Sequence, residues 1–357
     1  MPVALSARAC PAEAAPTIGR ERAVSVWLFC ICGMILVMIS LGGATRLTGS
    51  GLSIMEWAPL MGTLPPMSDA EWHRLYALYQ QIPQYDLVNQ GFGLEGFKSI
   101  FWLEWVHRFW GRLTGLVFAV PLVWFLVRGM ISARLGFRLF LLFLLGGLQG
   151  AVGWFMVASG FAAGSTAVSA YRLVMHLVLA LALYGAILWT ALSLWRGRVN
   201  PVVPGLRPVL VFVCAMIGVT IVAGGFVAGL KAGLIYNTFP LMGGQLVPDD
   251  YAALQPFLRN LTENLAAVQF DHRLLATATS VLVLVAVGYG LSRRPDRPFR
   301  LVLLVLAGLV LVQYALGVAT LLLVVPVALA TLHQATAILL LTAALVALHL
   351  QRRRAAA

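Results

Sequence analysis

Eight predominantly apolar stretches run along the chain, at roughly 24–44, 102–128, 138–159, 168–195, 207–230, 266–291, 301–323 and 325–350, with polar segments between them. A membrane-spanning helix needs about 20 such residues, so each stretch predicts one crossing. Eight crossings bring both termini to one side. The fold class expected is an all-α membrane protein, and the composition agrees. Charged residues are 11% of the 357 positions, against roughly 25% in a soluble domain.

Charge orients the array. Arg8, Arg20 and Arg22 precede the first span; Arg128, Arg134 and Arg138, then Arg196, Arg198 and Arg207, then Arg293, Arg294, Arg297 and Arg300 fill alternate loops; Arg352, Arg353 and Arg354 follow the last span. The positive-inside rule puts these segments, and both termini, in the cytoplasm. The opposite loops carry Asp69, Glu71, Asp86, Glu95, Asp249, Asp250 and Glu263. The net charge of +12 is therefore read as topology, and no nucleic-acid partner is implied. Residues 1–23 read as a cytoplasmic tail, because Glu13 and Glu21 and a span-length apolar segment argue against a cleaved signal. Cys10, Cys30, Cys32 and Cys214 all lie in the tail or spans, so no disulfide is available in the outer loops, and the cysteines in the spans are expected to be core residues.

The chain repeats itself. GGATRLTGSGLS closes the first span and is followed by PLMG at 59–62; GGFVAGLKAGLI closes the fifth and is followed by PLMG at 240–243. His107-Arg108 matches His272-Arg273, Gln149 and Gly153 match Gln313 and Gly317, and His176 matches His333. Two tandem four-helix bundles are expected, 24–200 and 201–350, with residues 351–357 as a second cytoplasmic tail. Because four spans separate the copies, they share one orientation.

The repeat concentrates attention on four histidines. His107, His176, His272 and His333 fall at equal depth, near the outer face, on the second and fourth helix of each half. Histidine inside a membrane is costly and usually functional. The simplest chemistry for such pairs is bis-histidine haem ligation, since a macrocycle supplies the other four iron ligands. Copper or zinc would normally recruit further thiolates, carboxylates or imidazoles. His73 and His349 have no repeat partner and are read as non-ligands. Arg108, Arg112 and Arg273 are candidates for haem propionates, whose geometry a guanidinium matches. One position separates the halves: Glu104, one turn before His107, is matched by Gln269. An ionisable group beside one site and an amide beside the other suggests divided labour. On that reading Glu104→Gln should impair turnover, and Gln269→Glu should matter far less. Asp271 points elsewhere on its helix.

The eight-span plan, GGATRLTGSGLS, WAPLMGTLPP, the ExxHR element at 104–108 and the paired histidines together resemble the haem A synthase family, over roughly residues 25–350. The resemblance implies oxidation of a methyl group of haem O to a formyl group, giving haem A for terminal oxidases. It implies a haem b cofactor held by His272 and His333, a haem O substrate site lined by His107 and His176, and a catalytic role for Glu104. A haem O farnesyltransferase is the implied pathway partner, alongside an electron acceptor in the membrane; a homo-oligomer is compatible with the sequence. The first outer loop, about 45–100, lacks the cysteine pair that some members carry there, so the chain resembles the cysteine-free branch found in proteobacteria and, as a close relation, mitochondria, which implies a bacterial inner-membrane location. Two other readings stay open. A dihaem b-type electron-transfer protein would hold two permanent haems, and a transporter would concentrate ionisable groups at the midplane.

Overall fold

The computed structural model describes residues 18–58, 61–195 and 202–352, and all its regular elements are helical. The first half comprises α1 (Ile18–Leu47), α2 (Asp69–Tyr79), α3 (Pro83–Leu87), α4 (Leu94–Val127), α5 (Ala133–Ala158) and α6 (Ala170–Leu194). The second comprises α7 (Leu206–Gly229), α8 (Asn260–Glu263), α9 (Leu265–Ser292), α10 (Arg297–Leu322) and α11 (Val327–Leu350). Eight of these, all but α2, α3 and α8, are long and apolar enough to cross a membrane. The chain is a multi-pass membrane protein.

Packing runs round a ring in each half. Helix α1 packs on α4 and α6, and α5 on α4 and α6; in the second half α7 packs on α9 and α11, and α10 on α9 and α11. The histidine-bearing helices α4 and α6, and likewise α9 and α11, are therefore diagonal across their bundles. The halves meet through α1 on α11 and α6 on α7, one contact being the counterpart of the other. Gln334 donates to the Ile39 carbonyl at 2.9 Å, and Tyr184 Oη and Thr342 Oγ1 are 2.7 Å apart. Arg46 extends from α1 to the last carbonyls of α7, donating to Ala228 at 2.8 Å and Gly229 at 3.0 Å. A cation suits that position, where helix carbonyls lack partners.

Large apolar side chains fill each bundle away from the histidines. Leu28, Ile31, Phe118, Phe125, Leu139 and Ile187 pack the first half, and Leu206, Val213, Val283, Phe299, Leu303 and Ala344 the second. A third cluster sits above the first bundle. There Trp72, Leu75 and Tyr79 of α2 close on Phe97, Ile100 and Phe101, and Leu52 joins them. This cap explains why α4 starts eight residues before the apolar stretch at 102–128: its first two turns are buried by α2 and not by lipid. The outer-loop helices α2 and α3 have no counterpart among the sequence expectations. Ser68 caps α2 by accepting from Glu71 N, and Pro83 opens α3. Arg74 ties the cap down through Glu56 and Glu71, at 2.9 and 2.8 Å, and its guanidinium holds both carboxyls below the usual carboxylate range.

The cysteine expectation needs correcting. Cys32 is buried and Cys214 half-buried, but Cys30 is exposed, because residues two apart on a helix face different ways and Cys32 takes the inward face. Cys10, Arg8, Arg196, Arg198, Arg353, Arg354 and the first two residues of PLMG at 59–62 lie outside the described residues.

Candidate functional site

Four glycine–histidine contacts define the candidate site. An added Cβ would meet the imidazole Cε1 of His107 at 3.0 Å from Gly42, of His176 at 2.9 Å from Gly153, of His272 at 2.9 Å from Gly224, and of His333 at 2.9 Å from Gly317. Each histidine is thus seated on the preceding spanning helix, against the one residue type that leaves room for a ring. Each glycine also lies five residues before the end of its helix, at Leu47, Ala158, Gly229 or Leu322, about 7.5 Å in at 1.5 Å per residue. The four rings therefore share one depth, as the sequence predicts.

Within each half the two rings lie near one another, His107 by His176 and His272 by His333. Every one of the four keeps a buried Nδ1 without a hydrogen-bond partner. Backbone carbonyls one turn before the glycine, those of Met38, Thr220 and Gln313, lie beside the His107, His272 and His333 rings. At the equivalent position in the α5 seat helix, Gln149 brings its side chain to His176. Its amide nitrogen donates to the His176 carbonyl at 2.9 Å and lies 3.4 Å from His176 Nε2.

Two imidazoles seated on glycine within one bundle suit the axial positions of a haem. A bare metal would want more ligands, and among the described residues no group of three or more His, Cys, Asp or Glu could hold one. His73 lies on α2 with its Nδ1 2.7 Å from the Asp69 carbonyl. His349 is buried at the far end of α11, against Trp189 and Ser193. Neither reaches the four rings. Ala substitutions at Gly42 and Gly224 should displace the imidazoles by tenths of an ångström, at a cost of about 1–3 kcal/mol for overpacking. Bound haem per protein should then fall, while Gly33→Ala and Gly218→Ala, with nothing within 4 Å of the added Cβ, should leave it unchanged.

Glu104 and Gln269 occupy matching places with opposite polarity. Both are buried. Glu104 Oε2 accepts from Ser53 N at 2.7 Å, Ser53 Oγ at 2.7 Å and Ile54 N at 3.0 Å; Oε1 accepts from Arg108 Nε at 3.0 Å and Nη2 at 2.6 Å. Five donors thus hold one carboxylate. Gln269 instead donates, to the carbonyls of Ala232 at 2.7 Å and Ile235 at 2.6 Å, while its oxygen accepts from Arg273 Nη2 at 2.8 Å. The backbone is turned to match. The 53–54 peptide points its N–H at Glu104; the 235–236 peptide, its repeat equivalent, points its carbonyl at Gln269, with Tyr236 in the left-handed region at φ 47°.

The arginines bind the outer loops. Arg108 donates to the carbonyls of Ile54 at 2.6 Å and Glu56 at 3.0 Å, and Arg273 to those of Tyr236 at 2.6 Å and Thr238 at 2.9 Å. Arg112 donates to Ala58 O at 2.8 Å. Asp271 accepts from Tyr251 of the second outer loop at 2.9 Å. The sequence expected propionates at these guanidinium groups and did not identify the loop carbonyls. Nor did it identify the glycines as histidine seats, or Ser53 and Ile54 as partners of Glu104. The glycines were legible as repeat matches, 42 with 224 and 153 with 317; the loop contacts had no signal in the sequence.

Comparison with known proteins agrees with this geometry. Residues 25–345 match the family model of the cytochrome oxidase assembly protein, COX15-CtaA. The chain is similar to the heme A synthase of Granulibacter bethesdensis, 60% identical over 328 residues covering 91% of this chain and 86% of that protein. It is 46% identical to the heme A synthase of Nitrosospira multiformis over 94% of this chain and 95% of that protein. With the heme A synthase of Rhodospirillum centenum it shares 48% identity over 93% and 89%. The chain belongs to the cytochrome oxidase assembly protein family, COX15-CtaA.

Proposed function

We propose that this protein is a haem A synthase, which oxidises a ring methyl of haem O to a formyl group. The observation that carries the reading is the pairing of seated histidines in both halves of a chain whose full-length relatives carry that name. His272 and His333 would hold haem b as the resident cofactor, and His107 and His176 would receive haem O. The asymmetry of Glu104 and Gln269 supports this division, because only the first half places a carboxylate one turn from a histidine. Bound haem b supplies one-electron redox chemistry, which an unactivated methyl group requires.

The residues of the chain do the rest. Glu104, fixed by five donors, sets negative charge at the outer edge of the first pair and holds Arg108 beside it. Arg108 and Arg273 would meet the haem propionates on this reading, Arg108 keeping one Nη1 proton beyond its bond to the Glu56 carbonyl. The cap of α2 on α4 closes the outer end against water. Both termini lie in the cytoplasm on this reading, and electrons leave to an acceptor in the membrane. A haem O farnesyltransferase would deliver the substrate. The test is to express the chain as the sole copy in cells that make haem O but lack haem A, and to identify their haems by chromatography and mass. Appearance of haem A is expected. Haem O alone, with folded protein present, would favour the dihaem electron-transfer reading.

A further inference from the structure

A substrate haem must leave its site after reaction and a cofactor haem must stay, yet both halves offer the same pair of seated imidazoles. The halves differ further in how one shared glutamine is turned. Gln149 and Gln313 occupy matching positions, one turn before Gly153 and Gly317. Gln313 lies beside His333 through its backbone. Gln149 turns its side chain to His176, with the amide nitrogen donating to the His176 carbonyl at 2.9 Å and lying 3.4 Å from Nε2. Among the described residues, none of the other three histidines has a side-chain hydrogen bond to its ring. We infer that Gln149 is a positioning residue that competes with haem iron for the His176 ring nitrogen and so makes ligation in the first half reversible.

The inference rests on the proposed placing of haem O between His107 and His176. The physical case is short. A neutral imidazole nitrogen has one lone pair, which either accepts a proton from the amide or binds iron. The anchor on the His176 backbone keeps the amide within reach whether or not iron is bound, so the ring nitrogen is re-covered when the iron bond breaks. Such a hydrogen bond shifts a binding equilibrium by about fivefold. His333 has no such competitor, as suits a haem that is not released.

The test measures release and not turnover. Ferric haem O is added to the detergent-purified full-length protein, and its transfer to excess apomyoglobin is followed by the Soret band. Gln149→Leu removes both donors at nearly constant volume and should slow transfer about fivefold. Gln149→Asn, too short to reach both acceptors, should slow it in the same direction and serves if the leucine variant does not fold. Gln313→Leu should leave transfer of haem O unchanged. Transfer from the Gln149 variants as fast as from the parent, or faster, would overturn the inference. His107→Ala and His176→Ala separate this from the underlying reading: both should abolish haem O binding. If they leave it intact, haem O does not bind there, and the placing of the two haems fails first.

Discussion

Replacing His272 or His333 by alanine should abolish the low-spin haem b spectrum of the purified protein while leaving the fold intact. Both rings are seated against glycine at 2.9 Å, and their nearest polar neighbours are the Thr220 and Gln313 carbonyls of the seat helices, so each holds the fold by at most one contact to a carbonyl. Removing one axial imidazole leaves iron with five ligands at most, and low-spin bis-histidine character cannot survive that. Alanine also leaves a cavity, at a stability cost of order 2–4 kcal/mol if the site does not collapse. Thermal unfolding in detergent monitors that cost separately from the spectrum. His107→Ala and His176→Ala should keep the haem b spectrum, since their pair lies in the other half. Loss of low-spin haem b from the first-half variants, with retention in the second, would exchange the two assignments.

The spans and the histidine depth were readable from the sequence because both depend on apolar length and repeat spacing, which membrane thickness and helix geometry fix directly. His107, His176, His272 and His333 could be placed at one level without coordinates, since the repeat carries their spacing. The outer cap could not be read in the same way. Helix α2 is too short to span and lies in a polar loop with no repeat counterpart, and its stability comes from Trp72, Leu75 and Tyr79 meeting Phe97 and Phe101 of α4, a contact the repeat does not carry. The inner wall of the site was hidden for a related reason. Ser53 and Ile54 meet Glu104 through backbone N–H groups, and Ala232 and Ile235 meet Gln269 through carbonyls. Which face a peptide presents is a matter of φ and ψ. Tyr236 gives no sign in the sequence that it takes the left-handed region.

That peptide orientation changes what exchange of Glu104 and Gln269 should do. From sequence, Gln269→Glu looks innocuous and Glu104→Gln nearly isosteric. The structure makes both costly. In Glu104→Gln the new amide has one acceptor where five donors converge, so its NH2 must face either Arg108 or the Ser53–Ile54 N–H groups. Breaking a buried, charge-assisted contact of this kind costs roughly 2–4 kcal/mol. In Gln269→Glu a carboxylate would face two carbonyls at the 2.6 and 2.7 Å now spanned by amide protons. Relief requires the 235–236 peptide to turn over, which carries the Ile235 carbonyl away and changes the φ of Tyr236, and the Ala232 carbonyl still faces the new carboxylate. Both variants should therefore unfold at lower temperature than the parent, and combining them should not restore it, because each loop is set for its own partner. Their haems should nonetheless differ. Glu104→Gln should retain haem b and accumulate haem O, since the altered wall borders the substrate pair. Gln269→Glu should lose haem b, and haem A production should fall with it. Chromatography of extracted haems, normalised to folded protein, reads both outcomes. A Gln269→Glu protein with parental unfolding temperature and full haem b would show that the Ala232 and Ile235 carbonyls do not hold the amide. A Glu104→Gln protein making parental amounts of haem A would remove Glu104 from the substrate site.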